Sequence, residues 1–89
     1  MRTKTAAPVV SSFIESVTLS KDEEDLIIQM NGTYYLYKGA GNWYWSMIDA
    51  ASKGKFYNEH IKNRFEAEKL GRGFPYEYAD PRDEEQFDD

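Results

Sequence analysis

The side chains with chemical potential in this chain fall into three groups: the cations Lys53, Lys55, Lys62, Arg64 and Lys69, a set of aromatic rings, and carboxylates crowded toward the C-terminus. Cations interleaved with rings are the usual equipment for unpaired nucleic acid, because ammonium and guanidinium groups track phosphates while rings stack on bases. Lys53, Lys55, Lys62 and Arg64, with Tyr34 and Tyr44, are therefore the candidate nucleic-acid-binding residues. The plainer reading of such cations is a solvated face, since composition alone is a weak warrant. The C-terminal stretch offers a second chemistry. Tyr76, Tyr78 and Phe87 alternate there with seven Asp and Glu residues, and together with Trp45 they form the candidate protein-binding set. Acidic-aromatic alternation suits a basic groove on another protein. It would equally suit a fold-back over the chain's own basic segment, or serve only as a solubilising disordered end.

Catalytic chemistry finds less to work with. His60 is the sole histidine and there is no cysteine, so an ordinary His or Cys metal site lacks ligands and a Ser-His-acid triad has nothing local to specify it. The carboxylates from Asp80 to Asp89 lack the spacing and turn glycine of a calcium loop. Gly39, Gly41, Gly71 and Gly73 give no phosphate-loop pattern. The chain reads as a non-catalytic binding module with neither cofactor nor metal.

These residues need a small frame to position them. Eighty-nine residues fit one core, which two Trp, seven Tyr and five Phe can fill at low rotamer cost. The net charge of −5 is unevenly spread: residues 1–72 hold ten Lys/Arg against nine Asp/Glu, and the last seventeen hold one against seven. Acidity thus belongs to the tail, and partners of the body meet a nearly neutral surface. No segment has the roughly 20 apolar residues of a membrane span and no signal peptide is evident, so a cytoplasmic protein without membrane contact is expected.

Along the chain, residues 1–10 read as a flexible lead-in and Ser12 to Leu19 as a first strand. Lys21 to Glu24 is a turn. Asn31-Gly32, flanked by Asp25 to Met30 and Thr33 to Lys38, is the signature of a two-residue type I′ hairpin. That register places Leu26, Ile28, Tyr35 and Tyr37 on a helix-covered side. Ile27, Tyr34 and Leu36 then lie on a second, partly open side, either covered by a terminus or used for binding. Asn42 is a helix cap, followed by an apolar stripe of Trp43, Met47, Ile48 and Ala51. Trp43 and Trp45 lie about 200° apart around a helix, which puts Trp43 inside and Trp45 outside. Gly54 should stop this helix, and Asn58 should cap a second one running to Leu70. Tyr35 and Tyr37 are base-stacking candidates by type, but with Ile28 and Leu26 opposite they read more simply as core.

Ser11-Ser12 with Ile14, Asn31-Gly32, Tyr35-Leu36-Tyr37, Ser52-Lys53-Gly54-Lys55-Phe56, Asn58 and Ile61, in that order, resemble the KTSC domain. This small domain occurs at the C-terminus of some lysyl-tRNA synthetases and alone in short bacterial and phage proteins. The resemblance covers residues 11 to 65, with RNA binding suggested by the synthetase connection, and the residues themselves read as a single α+β domain. Gly39-Ala40-Gly41-Asn42-Trp43-Tyr44-Trp45 replaces the Val-Pro that many members carry after the hairpin, and the acidic tail lies outside the resemblance. The expected architecture is a three-stranded antiparallel meander followed by two short helices packed on one face. Residues 11–72 form the domain and 73–89 the acidic aromatic tail. The expected partner is RNA or single-stranded nucleic acid, with a basic protein, engaged in the manner of a phage-type inhibitor or adaptor, as the alternative.

Overall fold

The computed structural model describes residues 14–87; the lead-in at residues 1–10 and the start of the first strand fall outside them. The elements in chain order are β1 (Ile14–Ser20), β2 (Leu26–Met30), β3 (Thr33–Tyr37), a 3₁₀ turn at Gly41–Trp43, α1 (Tyr44–Asp49), α2 (Lys53–Phe56) widening into a π turn at Tyr57–Ile61, β4 (Ala67–Gly71) and β5 (Ala79–Gln86).

The hairpin has the register expected of it. Asn31 and Gly32 take φ of 52° and 82°, the two positive values that a type I′ turn demands. Met30 then faces Thr33, Ile28 faces Tyr35 and Leu26 faces Tyr37. β1 pairs antiparallel with β2, and the Lys21 to Glu24 turn joins them. Gly41 docks against that turn so closely that a Cβ would overlap the Glu23 carbonyl, and its N–H donates to the Glu24 carbonyl at 3.0 Å. The contact fixes where α1 begins.

The sheet is not a three-stranded meander. Among the described residues it has five antiparallel strands in the order β4-β3-β2-β1-β5. Both added strands come from sequence expected to do something else. The helix expected from Asn58 to Leu70 ends at Ile61, because Lys62 turns extended and Asn63 takes a φ of 63°. Ala67 to Gly71 then pairs with β3, whose outer edge would otherwise leave a row of unpaired backbone groups. The C-terminal stretch, expected to be an unpaired tail, forms β5 along β1, with Ser16 opposite Gln86 and Thr18 opposite Glu84. A bulge between Thr18 and Ser20 takes up Asp80 to Asp83 and moves Pro81 out of the ladder, where its missing N–H costs nothing.

Two cores lie on opposite sides of the sheet. On the helix side, Ile14, Val17, Leu26, Ile28 and Tyr37 pack against Ala40, Tyr44, Met47, Tyr57 and Ile61. The other side, expected to be partly open, is closed: Ile27, Tyr34 and Leu36 are covered by Ala79, Leu70 and Phe74. The segment between β4 and β5 crosses this face and acts as its lid. The helices also depart in detail from the sequence reading. Ala40 and not Asn42 precedes the 3₁₀ turn, no side chain caps it, and Tyr44 and Met47 are the buried pair on α1 while Trp43 is half-buried. Gly54 is not a stop; it is buried inside α2, which Ser52 caps by accepting from the Lys55 N–H at 3.3 Å. No helix among the described residues is long and apolar enough to cross a membrane.

Candidate functional site

The candidate residues separate by what each side chain already holds. Tyr34 faces the second core and is 6% exposed, with its ring edge-on to Phe74 at 5.6 Å. Its hydroxyl donates to Glu84 Oε2 at 2.7 Å, and burial together with that carboxylate pushes the phenol well above its ordinary range. Tyr44 is 5% exposed and donates to the Asp83 carbonyl at 2.7 Å. Both rings were expected on open surfaces. The closure of the second face and the docking of β5 bury them, so neither presents the free ring that base stacking requires.

Lys53 is also committed to the fold. Its ammonium donates to the Ile48 carbonyl at 2.8 Å and to the Ala50 carbonyl, closing the C-terminal end of α1, and it lies 4.9 Å over the Phe87 ring. Phe87, a candidate protein contact, is thereby half-buried against the helix-side core. Of the four candidate cations, Lys55, Lys62 and Arg64 are exposed, the last donating from Nε to the Glu59 carbonyl at 3.0 Å. Lys55 lines a shallow groove of 360 Å³ with Ala50, Ala51, Ser52, Phe56 and Glu59. Near it, His60 stacks on Trp43 with ring centroids 5.0 Å apart and tilts against Phe56 at 4.6 Å, so the lone histidine is a packing element.

Three of the four candidate protein contacts are open to solvent. Tyr76 and Tyr78 are 65% and 39% exposed on the crossing segment, Tyr76 resting edge-on against Phe74 at 5.0 Å. Trp45 is the most open large ring, 68% exposed on α1. It is held rather than loose, because Tyr44 meets it edge-on at 4.9 Å and Tyr44 is itself pinned to β5. Its surroundings are acidic. Asp49 sits one helical turn further along α1, and the Tyr44 phenol is pushed up by burial and then by the charges of Glu85 and Asp83. The arrangement is an exposed indole in contact with a tyrosine that feels the charges of two β5 carboxylates, the chemistry that attracts a guanidinium or ammonium by cation–π contact and charge together.

Sequence reasoning missed Glu84. Its carboxylate accepts from Ser16 Oγ at 2.9 Å as well as from Tyr34, tying β5 to β1 and β3. Gln29 Oε1, 3.1 Å from Ser16 Oγ, is the alternative acceptor for that single hydroxyl proton. The sequence held no local signal for it, because Glu84-Glu85-Gln86-Phe87 shows no alternation of apolar and polar residues.

No curated protein and no solved structure matches this chain. A family model described as the KTSC domain matches residues 10–65, a span that takes in β1 to β3 and both helices but stops short of β4 and β5. That match extends over more than half of the 89 residues, and the chain belongs to the KTSC domain family.

Proposed function

We propose that this protein is a non-catalytic binding module that takes an Arg- or Lys-bearing segment of another protein on the surface around Trp45. The observation that carries the reading is the state of Trp45: a large ring 68% exposed, edge-on to Tyr44 at 4.9 Å, with Asp49 one helical turn further along α1 and the charges of Glu85 and Asp83 acting on the neighbouring Tyr44 phenol. A rigid aromatic anchor has little freedom left to lose on binding, and indole is the most common anchor at protein interfaces. Titrating a fluorescent Arg/Lys peptide into the full chain tests it. Binding should weaken as salt rises and fall roughly 30-fold in Trp45→Ala, the loss typical of an interface anchor, while the melting temperature stays put. Equal affinity of Trp45→Ala and wild type, or no binding in low salt, rejects the site.

The exposure of Lys55, Lys62 and Arg64 supports a second reading, contact with phosphates of RNA or single-stranded DNA. An oligonucleotide in the same titration separates the two. Oligonucleotide binding that is lost in Lys62→Gln/Arg64→Gln and indifferent to Trp45→Ala would favour nucleic acid.

A further inference from the structure

β4 and β5 are consecutive in sequence but form opposite edges of the sheet, four strand spacings apart. At about 4.8 Å per spacing the crossing is about 19 Å. The chain from Gly71 to Ala79 reaches about 26 Å when fully extended, but it is not extended. The Tyr78 and Ala79 N–H groups both donate to the Pro75 carbonyl at 3.0 Å, closing a turn inside the crossing segment. The turn takes up the difference between reach and crossing, so the connection is short, and short hinge loops favour exchange of the element they carry.

The contacts that hold β5 are all made to residues before the crossing. Glu84 is bound by Ser16 and Tyr34, the Asp83 carbonyl by Tyr44, and the Tyr78 carbonyl by the Lys21 N–H at 2.8 Å; Phe87 lies under Lys53. A second copy of the chain supplies the same partners in the same geometry, since none of these bonds depends on which molecule carries the strand. The β1 edge together with the Ile27, Tyr34 and Leu36 face is therefore a receptor for an acidic strand preceded by Phe-Pro, and this chain carries such a strand on a short tether. We propose that the protein forms a strand-exchanged dimer in which β5 of each copy pairs with β1 of the other. The monomer and the dimer differ only in the crossing segment, bent in one and opened in the other.

Refolding the full chain over a range of concentrations, followed by light scattering on a sizing column, should show a dimer that grows with concentration. Deleting Arg72, Gly73 and Glu77 shortens the reach to about 17 Å even with the turn pulled straight, less than the crossing of about 19 Å, and should drive the population to dimer. Inserting three Gly/Ser residues in the same segment should return it to monomer. Because the chain has no cysteine, pairing across copies can be trapped directly. Ser16→Cys and Gln86→Cys, placed in two chains of different mass and refolded together, should give a mixed disulfide, as these positions face each other across the β1–β5 ladder. A folded, monomeric deletion variant overturns the proposal. Absence of the mixed disulfide overturns it as well, and that result decides the matter if the deletion variant does not fold.

Discussion

The two sides of the sheet are closed by different means. On the helix side the cover is local: α1, α2 and the π turn follow the hairpin directly and bring Met47, Tyr57 and Ile61 onto Leu26, Ile28 and Tyr37. On the other side the cover is borrowed from the end of the chain, with Phe74 and Ala79 lying over Ile27, Tyr34 and Leu36. The first core is mainly apolar volume, with one buried hydrogen bond between the Tyr37 and Tyr57 hydroxyls. The second is small and mixes apolar contact with hydrogen bonds to one carboxylate, Glu84. The KTSC match ends at residue 65, so the family unit includes the first closure and none of the second. The contrast suggests a self-supporting core beside a lid that can open.

The largest expected effect falls on the helix side. Ile28 is fully buried there, and Ile28→Ala leaves a cavity costing about 2–5 kcal/mol. In a domain of this size that is a large share of total stability. Urea titration should show the whole protein losing stability, with every backbone amide exchanging faster. Loss confined to β4 and β5 would mean that the helix side is not the central core.

Tyr34→Phe probes the lid. It removes one of the hydrogen bonds to the Glu84 carboxylate and should cost about 1.5–3 kcal/mol, the range for bonds to charged groups. Hydrogen exchange should quicken first in β5 and in the crossing segment while β2 and β3 stay protected. Uniform acceleration would show that the two sides unfold as one unit and would erase the distinction.

The same contrast explains what the sequence made legible. Asn31-Gly32 announces the hairpin because only a few residue pairs tolerate two positive φ values, and the resulting register assigns every side chain from Leu26 to Tyr37 to the correct side. Trp45 lies outside as helical geometry predicts, whereas Trp43 falls in the 3₁₀ turn before α1 and is only half-buried. β4 was hidden because Ala67-Glu68-Lys69-Leu70 has the composition of a helix; the open edge of β3 overrode a weak local preference. β5 was hidden more deeply. Asp, Glu and Pro are poor strand formers, and the partner strand lies at the other end of the described chain, so no local pattern reveals the pairing. Both errors carried into the candidate site. Once β5 docks, Tyr44 ceases to be a surface ring, and once the crossing segment closes the second face, Tyr34 does too.

Alkaline titration bears on both sides together. Tyr34, Tyr37 and Tyr44 all have phenols pushed above the ordinary value of 10.0, mainly by burial, with Tyr37 also bonded to the Tyr57 hydroxyl at 2.7 Å. Above that pH the unfolded chain releases these protons while the folded chain keeps them, so unfolding is favoured as pH rises. The contribution of these phenols to stability should be constant below about pH 10 and fall beyond it. Tyr37→Phe should remove part of the helix-side share of that slope, Tyr44 keeping the rest, and Tyr34→Phe the lid-side share, and an unchanged slope in both would contradict the assigned burial.

The smallest effect is expected at Thr18, where the sign matters more than the size. Thr18 sits on β1 opposite Ile27, fully buried, and its hydroxyl is the one buried side-chain polar atom without a partner among the described residues. An unpaired buried hydroxyl is a cost of the lid side, since closing that face strips the group of water and offers nothing in exchange. Thr18→Val keeps the β-branched shape and removes the cost. It should stabilise the protein by about 1 kcal/mol, a rise in Tm of about 4–8 °C for a domain of this length. The gain should appear as slower exchange in β5, because only the closed lid carries the penalty. If Thr18→Val destabilises instead, the hydroxyl has a partner when the lid closes, and the second face is better satisfied than its geometry indicates.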